Sequence, residues 1–145
     1  MKKRFDKALY DKYDKAARQR TQLHLERKGY KVREHPDRYA QDLIATKAGK
    51  DLLVECEVKV VWDTDKFPYD TVQLPERKKK FFAEPTLFYI WNNQLNKAIT
   101  FFSEDVKHLT PVEVPNKYVY KGEYFFQIPM DLTKTIKVKI NEANT

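Results

Sequence analysis

Apolar residues recur at helical spacing at the start of the chain, and strand-like patterns follow. Between Phe5 and Lys28 there is no Gly or Pro, and apolar positions return every three or four residues. This period is typical of one face of an α-helix. The other positions are polar, and Gly29 follows the last of them. The pattern therefore predicts one long, mostly polar helix that ends at Gly29.

The next segment changes to the pattern of β-strands. Alternating and β-branched residues occupy 31–35, 42–47 and 50–62, and Ala48 with Gly49 separates the last two stretches. Such runs with a Gly-containing turn predict a meander of antiparallel strands. The chain should therefore begin with a helix followed by three strands.

The remainder of the chain alternates between polar segments and short strand-like runs. Residues 63–74 are largely polar and predict a loop, Pro75 suits the first turn of a short basic helix over 76–80, and Ser103 resembles a helix start. Five segments are rich in aromatic and β-branched residues and are predicted as strands: 86–91, 98–102, 112–114, 118–127 and 135–140. These elements together predict an α+β fold.

The composition is that of one globular domain. The 145 residues are 41% apolar and include nine Tyr and nine Phe, which suffices for a single core, so we expect one domain over 1–145. The single Cys56 excludes an internal disulfide and a Cys-based zinc cluster, which favours a reducing compartment such as the cytoplasm. A run of about 20 apolar residues and a signal-peptide core are both lacking, so we expect neither membrane insertion nor secretion.

The charge of the chain narrows the class of partner. A net charge of +7 favours a polyanion, because Lys and Arg bind phosphates and release counterions. Arg18 and Arg20 are on the predicted first helix, and Arg77 and Lys78 are on the short basic helix. Nucleic acid is therefore the predicted partner, although each of these side chains also suits an ordinary solvated face.

The candidate chemistry lies in the strand predicted over 50–62. Alternation places Glu55, Glu57 and Lys59 on one face, while the opposite face is apolar. The turn before this strand places Asp42 directly opposite Glu55. Facing carboxylates repel each other unless a proton or a cation lies between them, and Mg²⁺ prefers such oxygen ligands. A divalent metal site is one interpretation; a solvent face in which Glu57 and Lys59 pair with neighbouring strands is the other.

The order of helix, meander, Asp and then Glu-x-Glu-x-Lys resembles the PD-(D/E)xK nuclease superfamily, which includes the Holliday junction resolvases. The resemblance covers roughly residues 5–102. It implies a restriction-endonuclease-like core, in which an N-terminal helix is followed by a mixed central β-sheet, a short basic helix and a β-rich C-terminal segment. It also implies a metal-dependent endonuclease that hydrolyses phosphodiester bonds, with Mg²⁺ or Mn²⁺ as cofactor, DNA favoured over RNA as substrate, and a homodimer as a possible assembly.

The same resemblance implies roles for individual residues. Asp42 together with Glu55 or Glu57 would bind the metal, and Lys59 would position or activate water. Two alignments of the motif stay open, since Asp42, Glu57 and Lys59 match the motif as written, whereas Asp42, Glu55 and Glu57 match a variant in which Glu replaces the Lys.

A second group of residues is assigned to the substrate. The resemblance implies a Gln or a basic residue on a helix after the third strand, facing the scissile phosphate, and it makes Gln73 a candidate catalytic residue. Gln73 and Arg77 are four residues apart, a spacing that would place both on one side of a helix. Flanking phosphates would be contacted by four basic residues, Arg77, Lys78, Arg18 and Arg20.

The chain also departs from the motif in two places. Gln41 replaces the leading Pro, and Arg18-Gln19 stands where resolvase-like members offer an acid on the first helix. The missing acid favours an alternative, a non-catalytic nucleic-acid-binding or protein-interaction module on the same scaffold. An RNA-directed nuclease is a third candidate.

Overall fold

The computed structural model describes residues 7–63, 66–115 and 122–139. In chain order the helices and strands are α1 (Lys7–Arg27), β1 (Lys31–Glu34), β2 (Leu43–Lys47), β3 (Lys50–Val58), β4 (Thr71–Pro75), a 3-10 helix (Glu76–Phe82), β5 (Thr86–Trp91), β6 (Lys97–Phe102), α2 (Ser103–Val106), β7 (Val112–Val114), β8 (Glu123–Pro129), a second 3-10 helix (Met130–Leu132) and β9 (Lys134–Lys137).

The helix α1 ends where the sequence predicts. Gly29 has a φ of 95°, which a residue without a Cβ adopts at little cost. Its backbone N–H donates to Glu26 O at 3.0 Å, and Tyr30 N–H donates to Leu25 O at 3.1 Å. This pair of bonds satisfies the last helical carbonyls and turns the chain towards β1. None of the helices in the described ranges is long and apolar enough to cross a membrane.

A six-stranded mixed sheet forms the centre of the molecule, in the order β1-β2-β3-β5-β6-β9. Strands β3 and β5 run parallel, and the other neighbours are antiparallel. All six residues of β5 are buried, as expected for a central strand covered on both faces. The predicted α+β class, with an N-terminal helix and a mixed central sheet, is confirmed.

Each face of this sheet is covered by a different layer. Helix α1 packs on one face through Ala17 and Leu25. The other face is covered by the 3-10 helix and by a three-stranded sheet in the order β4-β8-β7. The aromatic pairs Phe88–Phe101 and Phe82–Phe126, with ring centroids 5.0 Å and 5.1 Å apart, fill this second core. Glu55 and Glu57 are on β3, which lies between the two layers.

The strand predicted over 50–62 is shorter than expected. β3 ends at Val58, and a turn follows in which Trp62 N–H donates to Lys59 O at 2.9 Å. Val60 and Val61 are 46% and 66% exposed, so the expectation that they belong to this strand is wrong. Trp62 returns to the core. The sequence predicted a continuous strand because this segment is hydrophobic, although its residues do not alternate regularly.

The loop predicted over 63–74 was also wrong in part. Its last residues belong to β4, which pairs with β8. Gln73 therefore lies on a strand and does not share a helical face with Arg77, which lies on the 3-10 helix. The pairing partner is about fifty residues away in sequence, and a local pattern carries no information about it. Of the strands predicted over 118–127 and 135–140, residues 118–121 and 140 lie outside the described residues.

Candidate active site

Asp42 lies immediately before β2, at the point where β3 no longer has β2 as a pairing strand on that side. The predicted register is confirmed, since Leu43 pairs with Val54, and this places Asp42 beside Glu55. Asp42 Oδ2 accepts a hydrogen bond from Cys56 N at 3.0 Å and a longer one from Cys56 Sγ at 3.5 Å. The carboxylate thus replaces the missing strand as the acceptor for a buried N–H. Two requirements, strand pairing and side-chain chemistry, fix its position.

Glu55 contacts both a second acid and a lysine. Its side chain is 8% exposed, and Lys78 Nζ lies 2.5 Å from its Oε2 atom. Burial, followed by the charge of Asp42 and a hydrogen bond with that carboxyl group, raises the pKa of Glu55 to about 8 against the opposing effect of Lys78. Asp42 and Glu55 therefore share a proton at neutral pH when no metal ion separates them.

Lys78 enters the site from the 3-10 helix. Phe81, on the same helix, is buried in the core and holds this segment against the sheet. Burial alone lowers the pKa of Lys78, but Glu55, Glu57 and Asp42 outweigh burial, and the pKa is raised. Lys78 therefore remains an ammonium group among carboxylates, in a position that the sequence analysis assigned to flanking phosphates.

Asp14 on α1 is a site residue that the sequence analysis missed. It shares the buried stripe of Ala17 and Leu25, and its pKa is raised by burial and by the nearby Asp42 carboxylate, with Arg18 opposing. Asp14 lies about four turns before Gly29, one turn earlier than Arg18-Gln19, where the sequence analysis looked for an acid. The helical spacing of Asp14 from Ala17 and Leu25 is the signal that could have identified it.

Glu57, Lys59 and Gln73 form the neighbouring part of the site. Lys59 Nζ lies 3.6 Å from Glu57 Oε1 and donates to Gln73 O at 3.3 Å. The oxygens Glu57 Oε1 and Gln73 Oε1 are buried and accept no hydrogen bond from the described residues. Buried acceptors without donors are costly unless water or a ligand satisfies them. This side of the site is therefore suited to a hydrated ion or to substrate.

The donor set fits a divalent cation. Within the described residues no group of three or more His, Cys, Asp or Glu side chains is placed so that it could hold a metal ion. Asp42 and Glu55 nevertheless bring their carboxyl groups into contact, and Glu57 supplies a buried oxygen without a donor. Mg²⁺ typically uses one or two carboxylates and completes its shell with water and substrate phosphate. The residues present therefore suit Mg²⁺ or Mn²⁺, which need few protein ligands, better than an ion that requires a cage of many protein ligands.

A cleft opens beside Asp42 on the side of α1. Its volume is about 210 Å³, and Arg18, Arg38, His35 and Gln41 are among the residues that line it. Gln41 Nε2 donates to the buried Thr86 Oγ1 at 2.9 Å, which anchors the chain immediately before Asp42. Gln41 in place of the motif's Pro thus holds the acid through a side-chain hydrogen bond.

Among comparisons with known proteins, only the structures give a match. No family model matches the sequence, and no curated protein sequence matches it. Five chains of solved structures match. One is Hjc from Archaeoglobus fulgidus, a Holliday junction resolvase from an archaeal hyperthermophile, at 8% identity and a TM-score of 0.48, with 90% of this chain and 87% of that chain covered. The likeness is one of fold. The chemistry rests on the side chains of the site.

The structure separates the residues that the sequence analysis had grouped. Asp42, Glu55 and Lys78 are in contact, and Arg18 lines the cleft next to Asp42. Arg20 lies along a different groove, which also contains Leu95. Arg77 is exposed at the start of the 3-10 helix. Of the two motif alignments, the one that pairs Asp42 with Glu55 matches the observed contacts, and the nearest lysine is Lys78.

The proton on Glu55 should make the metal-free protein less stable as the pH rises. Its pKa is about 8 in the folded protein against 4.5 in the unfolded chain, so the stabilisation is full below the lower value and is lost towards the upper one. In EDTA we expect the free energy of unfolding to fall by at least about 1 kcal/mol between about pH 6.5 and pH 8. Urea unfolding measures this fall.

The matched variant is Glu55→Gln, which keeps the shape of the side chain but cannot titrate. His24, whose pKa is lowered from 6.5 to about 4, is neutral in the folded protein over this range, while the unfolded chain still loses its His24 proton, so this group makes the protein slightly more stable as the pH rises and cannot cause the fall. We therefore expect most of the fall to disappear in Glu55→Gln, and an undiminished fall in that variant would exclude Glu55 as its origin.

Proposed function

We propose that this protein is a metal-dependent nuclease that hydrolyses phosphodiester bonds, with its active centre at Asp42, Glu55 and Lys78. The observation that carries the proposal is the buried contact of the Asp42 and Glu55 carboxyl groups with the Lys78 ammonium beside them. Facing acids are destabilising in a sheet, and a bound cation is the simplest way to relieve them. Asp14 adds a third acid from α1.

The metal would be held by Asp42 and Glu55, and Asp14 and Glu57 would hold its water ligands. When bound, a divalent ion lowers the pKa of a coordinated water and offsets the negative charge that develops on the phosphate. Mg²⁺ and Mn²⁺ both suit oxygen ligands of this kind.

The protein's own side chains would perform the remaining tasks. Lys78, kept protonated by its acidic neighbours, would leave Glu55 and donate to a non-bridging phosphate oxygen, which stabilises charge in the transition state. Glu57 Oε1, which lacks a donor in the described residues, would accept a proton or a hydrogen bond from the attacking water. Lys59 would hold Glu57 in place from 3.6 Å.

Nucleic acid would be held by basic residues around the acids. Arg18 and Arg38 line the cleft next to Asp42 and would bind the phosphates that flank the scissile phosphate. Arg77 would add a contact from the exposed start of the 3-10 helix. Such contacts position a backbone without selecting a sequence. The net charge of +7 favours a polyanion, and DNA is the proposed substrate.

Cleavage that depends on metal tests the proposal. With Mg²⁺ or Mn²⁺ we expect the purified protein to nick supercoiled plasmid DNA, and we expect EDTA to abolish nicking, because the site lacks its cation. Agarose gels resolve nicked from supercoiled plasmid, and labelled single-stranded RNA assayed in parallel separates a DNA nuclease from an RNA nuclease. Nicking that proceeds equally in EDTA would contradict the proposal.

One observation favours a second candidate, a nucleic-acid-binding module without activity. Lys78 Nζ already lies 2.5 Å from Glu55 Oε2, so the acids have a cationic neighbour without metal. Calorimetric titration with Mn²⁺ separates the two candidates, because a nuclease must bind the ion with the heat signal lost in Asp42→Asn, whereas an inactive module gives no signal in either protein.

A further inference from the structure

A second pocket lies beyond the turn that follows β3. Its volume is about 570 Å³, within the range typical of sites for small organic molecules. The residues that line it come from the segment between β3 and β4 and from the β6 and β9 region, and they include Trp62, Lys66, Phe67, Tyr69, Asp70 and Lys97. The mechanism proposed above uses none of them.

The wall of this pocket contains an unpaired buried donor. Trp62 is 1% exposed, yet its Nε1–H donates to no acceptor among the described residues. The other tryptophan, Trp91, donates from Nε1 to Thr21 Oγ1 at 2.9 Å. Buried indole N–H groups normally have a partner, because an unpaired one costs free energy. A ligand with an acceptor atom at the pocket wall would remove that cost.

Aromatic rings connect the unpaired donor to the surface. The ring of Phe67 packs edge-to-face on Trp62, with centroids 5.2 Å apart, and Tyr69 packs edge-to-face on Phe67 at 5.6 Å. Tyr69 is 57% exposed. Edge-to-face contacts leave ring faces available, and planar bases stack on such faces irrespective of their sequence. The pocket is therefore suited to a flat ligand that carries hydrogen-bond acceptors.

The basic residues and the position of the pocket indicate what carries such a ligand. Lys66 and Lys97 line the pocket and favour an anionic group on the ligand. Trp62 belongs to the core on the same side of the large sheet as the 3-10 helix that carries Lys78. Neighbouring strands are roughly 5 Å apart, so the pocket and the acids on β3 are separated by on the order of 10–20 Å. A few nucleotides of single strand cover that distance.

We propose that this pocket binds one unpaired nucleobase of a strand held at the active centre, by stacking on Tyr69 and by a hydrogen bond from Trp62 Nε1. The inference rests on the proposed function, since it takes the ligand from the same nucleic acid. It adds a preference for substrates with unpaired bases, which the phosphate contacts alone would not produce.

Binding measured without metal tests this inference separately from cleavage. The probes are a DNA hairpin with one unpaired 2-aminopurine and a fully paired duplex of the same length, both in EDTA. The wild type should quench the 2-aminopurine and bind the hairpin more tightly than the duplex. Tyr69→Ala should lower affinity for the hairpin about tenfold, the loss of one stacked base, and leave affinity for the duplex unchanged.

Two further variants complete the design. Tyr124→Ala removes a similarly exposed tyrosine on β8 that does not line the pocket, and it should bind both probes as the wild type does. Trp62→Phe keeps a ring in the core but removes the N–H, and it should reduce quenching while Tyr69 remains.

The outcomes distinguish the two proposals. Equal loss in Tyr69→Ala and Tyr124→Ala, or no loss in Tyr69→Ala, overturns the base pocket even if the wild type nicks DNA. Free 2-aminopurine nucleotide that binds as tightly as the hairpin overturns the strand-borne ligand. If the protein never nicks DNA but quenches 2-aminopurine in a way that depends on Tyr69, the base pocket is supported and only the nuclease proposal is contradicted.

Discussion

Asp42→Asn is expected to lower the rate of metal-dependent cleavage by about a thousandfold, since several kcal/mol of transition-state stabilisation depend on the metal ion. The amide keeps an oxygen that can accept from Cys56 N–H, the bond that is 3.0 Å long in the wild type. The fold should therefore persist. Single-turnover nicking rates measure the loss, and binding of the same DNA in EDTA should change little.

Asp42→Ala separates the structural role of this residue from its chemical role. It removes the acceptor of the Cys56 N–H and should lower the free energy of unfolding by about 1–3 kcal/mol relative to Asp42→Asn. Both variants should be equally inactive. Asp42→Asn that cleaves at the wild-type rate would remove Asp42 from the active centre and with it the proposed metal site.

Lys78→Ala should lower the cleavage rate by about a hundredfold, the usual cost of losing one group that stabilises charge in a transition state. Lys78 is the lysine in contact with Glu55, at 2.5 Å, whereas Lys59 contacts Glu57 at 3.6 Å and a backbone carbonyl. Lys59→Ala should therefore have the smaller effect on kcat. Cleavage rates measured at saturating DNA separate this effect on kcat from weaker binding of the DNA.

The control for Lys78→Ala is Lys79→Ala, because Lys79 is the next residue on the same 3-10 helix and is exposed. It should change salt-dependent DNA affinity slightly and leave kcat unchanged. If Lys59→Ala lowers kcat more than Lys78→Ala does, the lysine that stabilises charge in the transition state would be Lys59, the lysine of the sequence motif.

The local part of the site could be predicted from the sequence because it lies on one hairpin. A two-residue turn fixes the register of β2 against β3, so the pairing of Leu43 with Val54, and with it the contact of Asp42 with Glu55, follows from alternation. Strand β5 and helix α2 also have the predicted bounds or start, since their aromatic runs and polar flanks are local signals.

The parts that could not be predicted depend on packing between distant segments. Lys78 approaches Glu55 because the 3-10 helix packs on the sheet through Phe81, and no short-range pattern contains that contact. Asp14 is identified as a site residue only when the face of α1 that packs on β3 is known. In the same way, β4 is polar enough to resemble a loop until β8 pairs with it.

The arrangement of the small sheet also has a consequence for how the protein matures. The 3-10 helix that carries Lys78 is held by Phe126 of β8 through Phe82, with ring centroids 5.1 Å apart, and β8 pairs with β4 across a long stretch of chain. Contacts of such sequence separation form late. During translation, the acids on β3 leave the ribosome well before β8 does, so the lysine is secured only once that strand emerges. The contact of Lys78 with Glu55 is thus completed only after β8 has been synthesised.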